Sequence, residues 1–241
     1  NVLHYTLELG EQYVGRRYDA YFSKIGVDKI QKHQAKIQEL MSDIKGNLII
    51  KEFPTGKATM TTIESHIQKV KDTGIEPDLI IIDYVDLLSS KRKTIDRKGE
   101  IDDIYTSTKG LARELDIPVW SVSQVNRAGA KDNIVEGDKA AGSYDKIMIT
   151  DVCISLSRQR KDKVEGTGRF HIMKNRYGMD GLTFGVKADT STGHFEVSND
   201  LYHEGENDND DVTQTPQNNS FSGIDKFDRG ELKKKFFEIN K

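Results

Sequence analysis

Glu76-Pro77-Asp78-Leu79-Ile80-Ile81-Ile82-Asp83-Tyr84-Val85-Asp86-Leu87-Leu88 is the stretch on which the fold turns. Leu79 to Ile82 are apolar without alternation, the pattern of a central parallel strand covered by helices on both faces. Asp83 follows at the carboxyl end of that strand. Ligands of open α/β sheets bind outside the carboxyl ends of the strands, and a lone carboxylate there suits an Mg²⁺ that bridges nucleotide phosphates. This is a Walker B pattern. A strand followed by Asp is common in any sequence, so the surroundings have to decide.

The chain has 241 residues, of which 35% are hydrophobic, enough for one large α/β domain and a tail but not for two full domains. A single cysteine, Cys153, excludes a disulfide framework; its strand-like setting, Asp151-Val152-Cys153-Ile154, predicts a buried structural thiol in a reducing compartment. No apolar run approaches a membrane span and no charged-then-apolar leader opens the chain, so a cytoplasmic protein with no membrane partner is expected. Net charge is −3, but it is unevenly spread. Residues 203–222 carry five acids and no Lys or Arg, and residues 223–241 carry six bases and four acids, which leaves 30 of each sign in residues 1–202. Nucleic-acid binding would therefore have to come from local basic loops.

Outward from the central stretch, Val2 to Leu7 reads as a strand with no preceding turn signal, as if the chain began inside a longer one. Val14, Tyr18, Tyr21 or Phe22, and Ile25 recur at helical spacing, and a second helix is expected over about Asp28 to Ser42. Asn47 to Phe53 reads as a strand. Met60, Ile63, Ile67 and Val70 form one helix face before the turn at Gly74 and Pro77. After the central strand comes Lys91 to Lys98, five bases against one acid. A helix with Ile101, Ile104, Leu111 and Leu115 on one face follows, then a buried strand, Pro118 to Ser123, closed by Gln124-Val125-Asn126-Arg127. A Gly-rich polar loop spans Ala128 to Ser143. Three more strand-like runs are Thr150 to Leu156, Gly168 to Lys174 and Leu182 to Lys187, the last two flanking a hairpin-like connection at Asn175 to Gly181. From Asn199 the composition turns acidic and amide-rich, which predicts a disordered linker ending in a short basic amphipathic helix with Ile224, Phe227, Leu232, Phe236, Phe237 and Ile239.

Several chemistries are excluded. Pro54-Thr55-Gly56-Lys57-Ala58-Thr59 is a turn and not a phosphate-binding loop: Lys51 stands where the first Gly is needed, and Ala58 lacks the Mg²⁺-binding hydroxyl. No H-E-x-x-H or Cys/His cluster provides a zinc site, and no G-x-S-x-G elbow exists.

Four separated elements line up in order: Tyr5-Thr6-Leu7-Glu8, Ile81-Ile82-Asp83-Tyr84, Ser123-Gln124-Val125-Asn126-Arg127, and Lys174-Asn175-Arg176-Tyr177-Gly178. Together, over about residues 1–198, they resemble the ATPase domain of DnaB-type replicative helicases, with phage members most similar. The resemblance implies a three-layer α/β RecA-like P-loop NTPase core with a mostly parallel central sheet, occupying residues 1–198 and followed by the tail at 199–241. It implies ATP and Mg²⁺ as cofactors, and in the parent protein an ATP-dependent helicase that works in DNA replication as a homo-hexameric ring on single-stranded DNA. Primase and a helicase loader are the implied protein partners, and the implied compartment is the cytoplasm, that of the bacterial host if the protein is phage-encoded.

Each role implied by the resemblance suits the residue that carries it. Glu8 matches the glutamate that polarises the attacking water, and Asp83 the metal-holding acid. Gln124 matches the polar sensor, whose amide both donates and accepts, with Arg127 beside it at the nucleotide edge. Lys174 and Arg176 match a K-x-R-x-G hairpin whose cations reach the nucleotide of the neighbouring subunit, a finger supplied head-to-tail around a ring. Arg92 and Lys93 in the basic run, with Lys131, Lys139, Ala141 and Gly142 in the following loop, are the expected DNA contacts, since lysines and backbone amides suit sequence-blind phosphate tracking.

The sequence departs from the family pattern in two places. Asp138-Lys139-Ala140-Ala141-Gly142 lacks the usual Arg-Glu pair. No G-x-x-x-x-G-K-[ST] occurs, and the family places that loop upstream of the strand at Val2, so these 241 residues alone are expected to be inactive. Two other readings stay open at this level: a RecA-like strand-exchange ATPase, and a non-catalytic ring or loader subunit without a P-loop.

Overall fold

Leu79–Asp83 is a strand, and the computed structural model, which describes residues 1–90, 97–126, 132–137 and 145–202, builds its first sheet around it. In chain order the first half comprises β1 (Val2–Thr6), α1 (Glu11–Ser23), a 3₁₀ turn (Ile30–His33), α2 (Gln34–Ser42), β2 (Leu48–Glu52), α3 (Met60–Lys71), β3 (Leu79–Asp83), a second 3₁₀ turn (Val85–Leu87), α4 (Arg97–Leu115) and β4 (Val119–Ser121). The strands are all parallel in the order β2-β1-β3-β4. Parallel neighbours need crossovers, and the helices supply them.

The second half comprises α5 (Asp145–Ile149), β5 (Val152–Ser157), α6 (Arg160–Glu165), β6 (Thr167–Asn175), β7 (Thr183–Asp189) and β8 (His194–Leu201). Its four strands form an antiparallel meander, β5-β6-β7-β8. α6 ends on Gly166 at φ +70°, where a Cβ would also lie 3.3 Å from the Ala188 carbonyl, so this turn requires glycine.

Layering follows from the apolar spacing. Met60, Ile63, Ile67 and Val70 on α3 and Ile101, Ile104 and Leu111 on α4 bury against Leu3, Tyr5, Ile80 and Ile82 from the strands. Each such isoleucine removed from water contributes about 1.5–3 kcal/mol. Thr59 starts α3 with a reciprocal capping box to Thr62. On the opposite face of the sheet lies α1, whose Tyr18 hydroxyl is 2.8 Å from His4 Nδ1. Helices on both faces of the parallel sheet make the three-layer α/β core expected from the sequence.

Four local expectations are corrected. β3 is not equally buried on both faces: Ile80 and Ile82 are sealed under α3 and α4, while Leu79 and Ile81 on the α1 side are half-buried. The helix expected from Asp28 to Ser42 is broken: a 3₁₀ turn leads into α2, and Ile30 and Ile37 pack with Ala20 in a small cluster. The buried strand expected from Pro118 to Ser123 shrinks to three residues, with Trp120 57% exposed, because its pairing to β3 ends at Ser121. Cys153 is half-buried, with its thiol pKa raised by burial.

β8 carries the chain to Leu201, just past the compositional change at Asn199. Residues 203–241, and with them the expected linker and terminal helix, lie outside the described residues. No helix among the described residues is long and apolar enough to cross a membrane.

Candidate functional site

Three strand ends meet at the carboxyl edge of the parallel sheet, and each delivers one of the expected side chains. Thr6 of β1 is level with Asp83 of β3, and the Leu7 N–H donates to the Asp83 carbonyl at 2.8 Å. Glu8 therefore stands just beyond Asp83. Its turn is fixed from two sides: Thr6 Oγ1 donates to the Leu9 carbonyl at 2.7 Å, and Thr55 Oγ1 to the Leu7 carbonyl at 2.5 Å. The Glu8 side chain is left exposed on a pinned backbone.

Across β3, Ser121 Oγ donates to the Ile82 carbonyl at 2.8 Å and accepts from the Val85 N–H at 3.1 Å. This one hydroxyl clasps the chain on both sides of Asp83, whose peptide bond to Tyr84 is cis. Gln124, three residues on, reaches the Tyr84 hydroxyl with Nε2 at 3.4 Å. That phenol registers its neighbours: its pKa is raised by slight burial and then by the charges of Glu8, Asp86 and Asp83. On the α1 side, burial raises the Tyr18 hydroxyl and Asp83 adds to the effect, while burial lowers the His4 imidazole against the pull of Asp83.

Glu8, Asp83, Tyr84 and Gln124 thus form one electrostatic neighbourhood. Among the described residues no group of three or more His, Cys, Asp or Glu side chains is placed to hold a metal ion by itself. A nucleotide-borne Mg²⁺ keeps several waters and takes only one or two carboxylates alongside phosphate oxygens. Asp83, at the end of β3, is the carboxylate that could hold such an ion.

Lys174 and Arg176 sit on the other sheet. Lys174 Nζ donates to the carbonyls of Ile147 and Met148 at 2.9 and 2.7 Å, which caps the end of α5. Burial and then the nearby charges of Arg176 and Lys109 lower its pKa. Arg176 lies just past β6 and is exposed, paired with Asp151. Arg127, Arg92, Lys93, Lys131, Lys139, Ala141 and Gly142 lie outside the described residues. Motif reading gave no role to Thr6, Thr55, Ser121 and Tyr84, which bond to this edge of the sheet. Thr6 and Tyr84 stand close to Glu8 and Asp83 in the sequence, whereas Thr55 and Ser121 come from other segments and leave no such trace.

The DnaB-like helicase C terminal domain family matches residues 1–195. The DnaB-like replicative helicase of Enterobacteria phage T4 is 24% identical over 194 residues, covering 74% of this chain and 40% of that protein. The replicative DNA helicase DnaB of Pasteurella multocida is 31% identical over 135 residues, 52% of this chain and 28% of that protein. The chain thus spans less than half the length of these relatives. Among solved structures, an isolated ATPase domain superposes with a TM-score of 0.68 at 22% identity, over 80% of this chain and 73% of that one. A DnaB-like replicative helicase solved for its interactions with primase gives 0.68 at 21%, over 80% and 51%. Those two likenesses speak for a RecA-like fold. With a match that covers four-fifths of its length, this chain belongs to the DnaB-like helicase C terminal domain family.

Proposed function

We propose that this chain is the greater part of the ATPase domain of a replicative DNA helicase, one that hydrolyses ATP with Mg²⁺ to move along single-stranded DNA as a homo-hexameric ring. The observation that supports it most is the convergence of Glu8, Asp83 and Gln124 on three neighbouring strand ends, held by backbone bonds from Thr6, Thr55 and Ser121. In this reading Asp83 holds the ion and Glu8 accepts a proton from the water that attacks the γ-phosphate. Gln124 contacts the phosphate and, through Tyr84, feels the acids. Lys174 and Arg176 supply positive charge to the nucleotide of the adjacent subunit, with Arg127 at the nucleotide edge. Arg92, Lys93, Lys131, Lys139, Ala141 and Gly142 track the DNA backbone. Primase and a loader are the protein partners, and the cytoplasm is the place of action.

The test uses the full-length protein that carries this chain, assayed for ATP hydrolysis with and without single-stranded DNA and for unwinding of a forked duplex. DNA-stimulated hydrolysis with unwinding is expected. Stimulated hydrolysis with strand exchange and no unwinding would replace this reading by that of a recombinase, and absence of hydrolysis would replace it by that of a non-catalytic subunit.

A further inference from the structure

Beside the strand-end side chains, one cation is sealed inside the fold. Lys146 on α5 is 2% exposed, and its Nζ lies 2.6 Å from Ser123 Oγ and 3.4 and 3.5 Å from the Asp86 carboxylate oxygens. Ser123 Oγ itself donates to Asp86 Oδ2 at 2.8 Å. The Tyr105 ring centroid is 5.7 Å from the ammonium, and Arg97 Nη2 holds the Asp86 carbonyl at 2.6 Å. Three elements, the turn after β3, the segment after β4, and α5, therefore converge on one ammonium.

Packing alone does not call for a lysine here. An aliphatic side chain would fill the same space without the cost of desolvating a charge, and a buried ion pair is poor evidence for added stability. What the ammonium adds is direction, because it has to be bonded by both segments at once. Asp86 stands three residues after Asp83, and Ser123 immediately precedes Gln124.

We propose that Lys146 is a positioning residue for hydrolysis. By tying Asp86 to Ser123 it sets the separation between the strand ends that present Asp83 and Gln124. This rests on the helicase reading above for its catalytic consequence, but not for its geometry. The ammonium, the serine hydroxyl and the carboxylate act as one unit.

Three variants test it: Lys146→Met, Asp86→Asn and the double variant. Each single change strands a buried charge and lowers the thermal midpoint, so a loss of activity in either one decides nothing. The double variant removes both charges, and its midpoint should recover beyond that of either single variant. In the 241-residue chain, exchange of the Val85 amide, which bonds Ser121 beside Asp83, should nevertheless stay at least about tenfold faster than in the unaltered chain. In the full-length protein the same double variant should keep a KM for ATP within about threefold while kcat stays down about tenfold or more. Val85 exchange that returns to its original rate along with the midpoint overturns the positioning role, as does recovery of kcat. If the unaltered full-length protein hydrolyses no ATP, the helicase reading fails, and Val85 exchange still decides the role of Lys146.

Discussion

Arg176 Nη1 lies 3.3 Å from Asp151 Oδ1, the same oxygen that Lys109 Nζ reaches at 2.6 Å. The arginine is the weaker-held of the two cations, with 45% of its side chain exposed against 19% for Lys109. It can leave Asp151 for an external anion while Lys109 keeps the carboxylate paired. If it serves a neighbouring subunit, Arg176→Ala in the full-length protein will bind nucleotide normally and lose up to about 10³-fold in turnover, as trans-acting fingers do. Rings mixing Arg176→Ala with Glu8→Ala subunits place both lesions at one interface and spare others, so they should regain activity. Activity no higher than independent dilution of two dead subunits predicts, with subunit exchange verified, removes the trans assignment.

In the reading proposed above, Glu8→Gln preserves shape and removes the base. Turnover should fall by about 10²–10⁴-fold. The side chain is exposed and its backbone is held by Thr6 and Thr55, so stability should change by no more than about 0.5 kcal/mol. Calorimetry alongside a steady-state ATPase assay checks both; an unfolded variant, or an active one, contradicts the assignment.

Acid should weaken the antiparallel half through Asp189. Its carboxylate accepts from the Ser191 and Thr192 hydroxyls and from the Ser191 N–H, which pull its pKa from 3.8 down to about 2. A depressed carboxylate stabilises the fold above its unfolded value, and that contribution is lost as pH falls from 3.8 toward about 2. Asp151 is shifted the same way, chiefly by its bond to Lys109. Thermal midpoints recorded across this window should fall less steeply for Asp189→Asn than for the unaltered chain.

Ile82 is fully buried between the sheet and its helices. Ile82→Ala should cost about 2–5 kcal/mol in urea unfolding, since the cavity adds to the lost transfer energy. Val164→Ala, at a position 85% exposed, should stay within about 0.5 kcal/mol. Equal costs at the two positions would contradict the assigned core.

The elements legible in the sequence were those whose burial is periodic. α3 shows its face at Met60, Ile63, Ile67 and Val70, and β3 shows an unbroken apolar run. β8 went unread because its alternation is short: only Phe195 and Val197 are half-buried between exposed polar neighbours, and Ser198 to Asp200 continue this edge strand with polar residues alone. α6 is only six residues long, too short for a helical period to register. Within the candidate site, Asp83 could be picked out from the apolar run it ends, whereas Glu8 and Gln124 were picked out only through the ordered motifs that resemble the family. Lys146 was not, because its partners come from distant segments. Its one trace is a charge set directly before the apolar run Ile147-Met148-Ile149.

Trp120, which stands out from the short strand β4, is the chain's single tryptophan. These 241 residues therefore have a built-in optical reporter whose indole emission belongs to one known strand, three residues from Ser123 and four from Gln124. Being more than half exposed, that indole is open to collisional quenchers such as acrylamide. A titration with nucleotide, followed by emission and quenching, would watch this edge of the sheet directly, without a dye and without a substitution.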